Sequence, residues 1–375
     1  MNQKGKLCKI FTFDKDKSYI DAKFFNIIVI AGTIVCLILI AVPIFIIDPY
    51  FHYHAPIEGY SYTIGNERYQ NNGIVKYFDY DAIITGTSMT ENFRTSELDA
   101  LFGTNSIKVP YSGGSYKEIN DNLLVALEYN QDIRMIVLGV DTNSSLTRDK
   151  DEPFHAIADS GYQYPWYMID DNPWNDVSYI MNKSILIQAI HVGLSPGERD
   201  SFDEACFWEH RFPFGEEAVM SSYNRMEAAD ALQYLTEAEK KMILENIGQN
   251  IVETAQSHPD VSFYLFIPPY SICWWDDAKQ QGKVDYYIEA LKLETEELLK
   301  CENVKLFAFW NNYEMVCNLD NYKDIAHYSA QINSDILQWM ADLDEKYLLT
   351  EDNYIEYWDE IRDFYFHYDY NSIFD

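Results

Sequence analysis

Ala82-Ile83-Ile84-Thr85-Gly86-Thr87-Ser88-Met89-Thr90 is the stretch on which the fold turns. A short apolar run of this length, bounded by a glycine, reads as a buried strand. Thr95-Ser96-Glu97-Leu98 then opens a helix, with a hydroxyl residue at its cap. The same unit repeats outward. Residues 107–109 predict a second strand, 116–127 a second helix and 135–138 a third strand. Farther on, 237–257 predicts a helix and 261–267 a strand closed by Pro268-Pro269. Residues 284–300 predict a helix, 304–308 a strand, 329–348 a helix and 354–368 a last amphipathic helix. Strands alternating with helices predict parallel pairing, hence a three-layer, doubly wound α/β sheet of the flavodoxin-like kind. Residues 146–222, rich in Tyr, Trp, Pro and Asp, break the rhythm and read as an insertion capping the active face.

Upstream lies a different environment. Residues 24–47 (FFNIIVIAGTIVCLILIAVPIFII) form 24 positions without a charge. About 20 apolar residues suffice to cross a bilayer, whereas the apolar core of a cleavable signal peptide runs to roughly 7–15. The run ends in Ile46-Ile47-Asp48-Pro49-Tyr50, which offers no small-residue cleavage site. The segment reads as one uncleaved transmembrane anchor. Residues 1–23 carry six lysines against three acids, which predicts a cytoplasmic tail and an extracytoplasmic C-terminal bulk. The expected divisions are therefore a tail (1–23), an anchor (24–47), a linker packing on the domain (48–78), the α/β domain (79–348) and a helical tail (349–375).

The whole chain has 28 Lys+Arg and 60 Asp+Glu, so beyond residue 23 stand 22 basic and 57 acidic residues. A surface that acidic repels phosphate backbones and excludes nucleic acid as an expected partner. Cys206, Cys273, Cys301 and Cys317 fall on the oxidising side, where disulfides are permitted and three pairings are open. No cysteine has zinc-site spacing, and His52 with His54 supplies only two ligands, so neither metal nor cofactor is expected.

Chemistry enters at Ser88. A serine past the carboxyl end of a first parallel strand, at a helix start, sits where α/β sheets bind ligands. Backbone N–H groups there can hold a developing oxyanion. Thr90 replaces the second glycine of a GxSxG elbow, so the α/β-hydrolase pattern is excluded. A serine nucleophile needs a base, and the base a carboxylate that fixes its tautomer. Asp324-Ile325-Ala326-His327, after the last strand, can present both from one short loop.

This order of motifs resembles the SGNH/GDSL-like superfamily, and more closely its membrane-anchored branch that D-alanylates cell-wall polymers or O-acetylates exopolysaccharides. Gly86-Thr87-Ser88 stands where that superfamily has Gly-Asp-Ser, and Asp324/His327 where it has D-x-x-H. The resemblance covers roughly 79–141 and 261–340. It implies Ser88 as nucleophile, His327 as general base and Asp324 as its orienting partner. It also implies oxyanion donors from Ser112-Gly113-Gly114-Ser115, where Gly114 is the expected residue, and from an asparagine after the third strand. Here that block reads Gly139-Val140-Asp141-Thr142-Asn143, which displaces the asparagine to Asn143. Trp274 and Trp275, in a loop following the 261–267 strand, are expected to stack on sugar rings. The other aromatics, among them Tyr164, Trp166, Trp174 and Trp310, read as packing.

The implied activity is acyl transfer or ester hydrolysis on a surface glycan or teichoic-acid-like polymer, with a multi-spanning membrane acyl donor as partner. A plain esterase and a non-catalytic scaffold or glycan-binding subunit stand as alternatives.

Overall fold

The computed structural model of the chain describes residues 15–142, 146, 148–152, 164–170 and 172–374. It is a mixed α/β protein with one N-terminal apolar helix and a six-stranded, mostly parallel sheet. The apolar helix α1 (Lys15–Ile47) contains a span, Ala22–Ile47, long and apolar enough to cross a membrane. Its side chains from Phe24 to Leu39 are exposed on every face. Residues 48–78 hold a further helix, α2 (Glu67–Tyr77), whose inner face is buried.

The domain then alternates. β1 (Ala82–Thr85) leads through Ser88 to α3 (Thr95–Phe102), β2 (Ser106–Lys108), α4 (Tyr116–Tyr129) and β3 (Met135–Gly139). In the inserted region, α5 (Lys183–Gly193) packs against α1. Next come α6 (Glu237–Ile247), β4 (Ser262–Ile267), α7 (Ile272–Gln280), α8 (Val284–Leu298) and β5 (Val304–Ala308). The chain closes with α9 (Ala330–Asp342), β6 (Leu348–Leu349) and α10 (Tyr354–His367). The strand order is β2-β1-β3-β4-β5-β6, with the first five parallel and β6 antiparallel to β5. After β1 the chain goes to one side for β2 and then crosses to the other for β3, so the strand order reverses between β1 and β3. Ile83, Ile84, Val137, Leu265 and Leu306 are completely buried, and each such side chain contributes about 1.5–3 kcal/mol.

Three elements differ from the sequence expectation. The helix expected over 237–257 contains a π segment, Gly248–Val252, where Asn250 bonds the Lys150 carbonyl as well as Asn246. The helix expected to run to 348 stops at Asp342, because Leu343 turns left-handed (φ 49°) and its N–H returns to Met340 and Trp339. Freed by that turn, Leu348–Leu349 pair with β5. Trp274 and Trp275, expected in a loop, stand near the start of α7, whose Ile272, Trp275 and Ala278 form a buried stripe. Cys206, Cys273, Cys301 and Cys317 are all free thiols, so none of the three pairings is formed.

Candidate active site

Ser88 is set by its neighbours on the turn. Gly86 leaves β1 at φ +145°, and a Cβ there would lie 2.7 Å from the Thr90 methyl and 3.1 Å from the Gly139 nitrogen. Only glycine fits. The Ser88–Thr90 3₁₀ turn follows, with the Thr90 hydroxyl donating to the Thr87 carbonyl at 2.8 Å. The Thr87 hydroxyl donates to Asp141 Oδ2 at 3.2 Å. Asp141 stands just past β3, and its Oδ1 accepts from Tyr270 Oη at 2.7 Å. Burial, and next the Asp141 charge, push the Tyr270 phenol well above its ordinary range, so it remains a donor.

Residues 321–329 form a tight loop after β5. It is closed by Ser329 N–H to the Asn321 carbonyl (2.9 Å) and Lys323 N–H to the His327 carbonyl (3.0 Å). Two more bonds seat it on the end of β4: Tyr322 Oη to the Pro269 carbonyl (2.9 Å) and Ser271 Oγ to the Ile325 carbonyl (2.7 Å). The loop presents Asp324 and His327 to the same point. Asp324 Oδ1 accepts the N–H groups of Ala326 (2.9 Å) and His327 (2.8 Å), while Oδ2 lies 2.8 Å from His327 Nδ1. A carboxylate only accepts, so Nδ1 carries the hydrogen and Nε2 of the neutral ring is an acceptor. Burial by itself would raise the Asp324 carboxyl. The hydrogen bond and charge of His327, with the two backbone N–H groups, outweigh it and hold the carboxyl below its ordinary range.

Ser88 Oγ lies 2.8 Å from His327 Nε2. Half-buried serine, imidazole and carboxylate thus form one continuous hydrogen-bonded line, the geometry of an activated nucleophile.

No protein-family model and no curated protein matches the chain. A solved structure from Streptococcus pneumonia, provisionally described as a platelet activating factor, is similar at 12% identity and a TM-score of 0.37. The match covers 74% of this chain and 90% of that one. What the site can do has to come from its own geometry.

The other expected site residues fare differently. The Gly114 N–H is spent on the Tyr111 carbonyl at 2.7 Å, so Gly114 is not an open oxyanion donor. Asn143 lies outside the described residues. The place that the resemblance assigns to an asparagine is filled by Asp141, which accepts from two hydroxyls. The N–H of Ser88, first in its turn, donates to no backbone carbonyl among the described residues. Trp274 and Trp275 are not laid out for sugar stacking. As part of a helix they point into an aromatic core, where Trp275 stacks on Tyr365 at 4.4 Å and Trp274 on Trp310 at 5.7 Å. His52 and His54 take separate partners, Asp176 and the Ala55 and Phe45 carbonyls. Among the described residues no three metal-ligating side chains gather.

Two residues in the site had no sequence signal. Trp208, from the insertion, puts its ring edge-on to His327 at 5.6 Å, and its Nε1–H donates to the Ser88 carbonyl at 3.4 Å. Its own N–H donates to Asn92 Oδ1 at 3.1 Å. Lys323 lies 3.4 Å from Asp324 Oδ2, with its ammonium 4.5 Å from the Trp208 ring centre. The region around Trp208 is pinned beside the Ser88 turn by Asp203, which accepts from Thr95 Oγ1, Ser96 N–H and Ser96 Oγ. Only spatial proximity identifies Trp208, since 208 is 120 positions from 88.

Proposed function

We propose that the chain is a membrane-anchored serine enzyme of the SGNH kind that transfers or hydrolyses a small acyl group on an extracytoplasmic surface glycan or teichoic-acid-like polymer. The observation that carries the reading is the Ser88–His327–Asp324 line, with 2.8 Å at both of its joints. The strand order of β1 to β5, 2-1-3-4-5, agrees with a doubly wound sheet, and Ser88 stands at its switch point.

In this mechanism His327 Nε2 takes the Ser88 proton as Oγ bonds to the acyl carbonyl carbon. The carbonyl oxygen becomes an oxyanion facing the Ser88 N–H, with Gly113 N–H as second donor in place of Gly114. Collapse breaks the ester bond, and the departing alkoxide takes the proton from His327. The acyl group is left on Ser88. A polymer hydroxyl or water then gives its proton to His327 and attacks the acyl carbon, and His327 returns that proton to Ser88 Oγ as the acyl–serine bond breaks. Asp324 stays ionised throughout and holds the Nδ1–H tautomer. Trp208 covers one side of His327 and excludes water there, which favours transfer to a hydroxyl over hydrolysis. The resemblance suggests a multi-spanning membrane protein as the source of the acyl group, and α1 would hold the site near it. The polymer and the donor come from the family resemblance alone.

Asp141 favours one other reading. An acceptor where a donor is expected weakens oxyanion binding, as it would in a non-catalytic scaffold or glycan-binding subunit that keeps the fold. The two separate on p-nitrophenyl acetate with the full chain in nanodiscs. An enzyme gives a burst of p-nitrophenol that Ser88→Ala and His327→Ala both abolish; a scaffold gives none.

A further inference from the structure

Beyond the active site, the inserted region carries an apolar face beside the end of α1. Trp174, Val177 and Met181 are 87%, 57% and 40% exposed, and Ile187, Ile190 and Leu194 are 56%, 47% and 77% exposed. Ile187 and Ile190 lie one turn apart on α5 with Leu194 just past its end, and Val177 opens the short helix Val177–Ile180 with Trp174 and Met181 in the turns on either side. The inward residues of α5, namely Ile185, Ala189 and Val192, are buried, so the apolar character outside is additional to what packing requires. An exposed patch of this kind marks an interaction surface.

Three observations say what covers it. First, the face is continuous with α1. Helix α5 packs on α1, and the Cα of Gly193 faces Ile47, where an added Cβ would meet the Ile47 side chain at 3.4 Å. Second, the placement is fixed. Tyr179 Oη donates to Asp48 Oδ1 at 2.6 Å, and Asp176 holds both His52 Nε2 (3.1 Å) and Tyr53 Oη (3.3 Å), all just past the end of α1. Third, the charge pattern changes. Between Asp176 and Glu198 there is no acid, in a chain with 57 acids beyond residue 23, and α5 carries one full charge, Lys183 at its start. A domain this acidic is repelled by anionic headgroups and gains a bilayer contact only where acids are absent and apolar side chains insert.

We infer that the 174–194 face is an interfacial anchor, seated in the outer headgroup and acyl boundary of the same bilayer that α1 crosses. Trp174 sits at headgroup depth, where indole rings concentrate. Lys183 extends its ammonium to the water side. Two fixed attachments, α1 and this face, hold the ectodomain at one orientation to the membrane instead of letting it swing from a single tether. The inference needs α1 in the membrane but not the catalytic reading of Ser88.

The test uses full-length chain in palmitoyl-oleoyl phosphatidylcholine nanodiscs at one copy per disc. Ile187→Cys, Ile190→Cys and Leu194→Cys are compared with Ser257→Cys, an exposed position on a different helix of the domain, by labelling with a water-soluble maleimide and mapping peptides by mass. A thiol in an apolar phase stays protonated and unreactive, so the three face positions label roughly tenfold or more slowly than Ser257→Cys. Native Cys36, inside the span, reports separately that α1 is inserted. Equal labelling at all four positions, with Cys36 protected, overturns the inference. Protection that appears only in discs holding two copies also overturns it and makes the face a self-association surface.

Discussion

Replacing Asp324 by asparagine separates orientation from charge at the site. The two backbone donors, Ala326 N–H and His327 N–H, both point at Oδ1 from 2.9 and 2.8 Å. They demand an acceptor, so the amide oxygen of Asn takes that place and its NH₂ takes the Oδ2 place, 2.8 Å from His327 Nδ1. Facing a donor, Nδ1 must accept, which moves the ring hydrogen to Nε2. That hydrogen then points at Ser88 Oγ, and the imidazole can no longer take the serine proton. A fixed wrong tautomer of this sort costs about 10⁴ in rate, or about 5.5 kcal/mol of transition-state stabilisation. Asp324→Ala leaves the ring free to choose its tautomer, so alanine is expected to damage no more than asparagine, although it removes more atoms. The assay is the rate of fluorophosphonate labelling of full-length chain in nanodiscs, with circular dichroism confirming the fold of each variant. Asp324→Asn within about tenfold of wild type would refute the tautomer argument.

Three further predictions follow from the surroundings of the site. Gly86→Ala forces a side chain into φ +145° and onto the Thr90 methyl, so unfolding free energy falls by at least about 1–3 kcal/mol; an unchanged denaturation midpoint would contradict the tight turn. Trp208→Phe keeps a ring against His327 and loses one neutral hydrogen bond, so labelling slows by no more than about tenfold, whereas Trp208→Ala also raises hydrolysis relative to transfer to an added alcohol. Lys108, wholly buried with its ammonium on the Glu91 and Phe93 carbonyls, is pulled down to about 8 by burial. Between about 8 and 10.5 the unfolded chain keeps a proton that the folded chain has lost, so stability rises with pH across that window. Lys108→Met abolishes this rise, as read by denaturant melts at pH 8 and 10.5.

Much of the sheet was legible because its strands are short, mostly apolar runs. Residues 82–84, 135–138 and 304–308 announce themselves by hydrophobicity and spacing, and they match β1, β3 and β5 closely. What escaped depends on contacts distant in sequence. Helix α9 ends on a left-handed Leu343, where a glycine would have been the readable signal. Strand β6 has two residues and exists only as a partner of β5. Trp274 and Trp275 are as suited to a sugar platform as to a core, and only the helical turn of α7 sends them inward. At the site, Ser88 and the D-x-x-H pair could be named from local motifs. Trp208 could not, since what matters is where residues 146–222 fold back, and nothing in the local motif marked Lys323, next to Asp324, as a partner of its carboxylate. The 174–194 face was hidden for a different reason: apolar residues at helical spacing look like core until burial shows which side is left bare.

The most direct test of the central claim is where an active-site-directed probe attaches. Full-length chain in nanodiscs is treated with a fluorophosphonate, digested and mapped by mass. The proposed mechanism predicts one adduct, on the peptide bearing Ser88, absent from Ser88→Ala and strongly reduced in His327→Ala. An adduct on another serine, or none at all on folded protein, would contradict a Ser88 nucleophile and leave the fold as a scaffold.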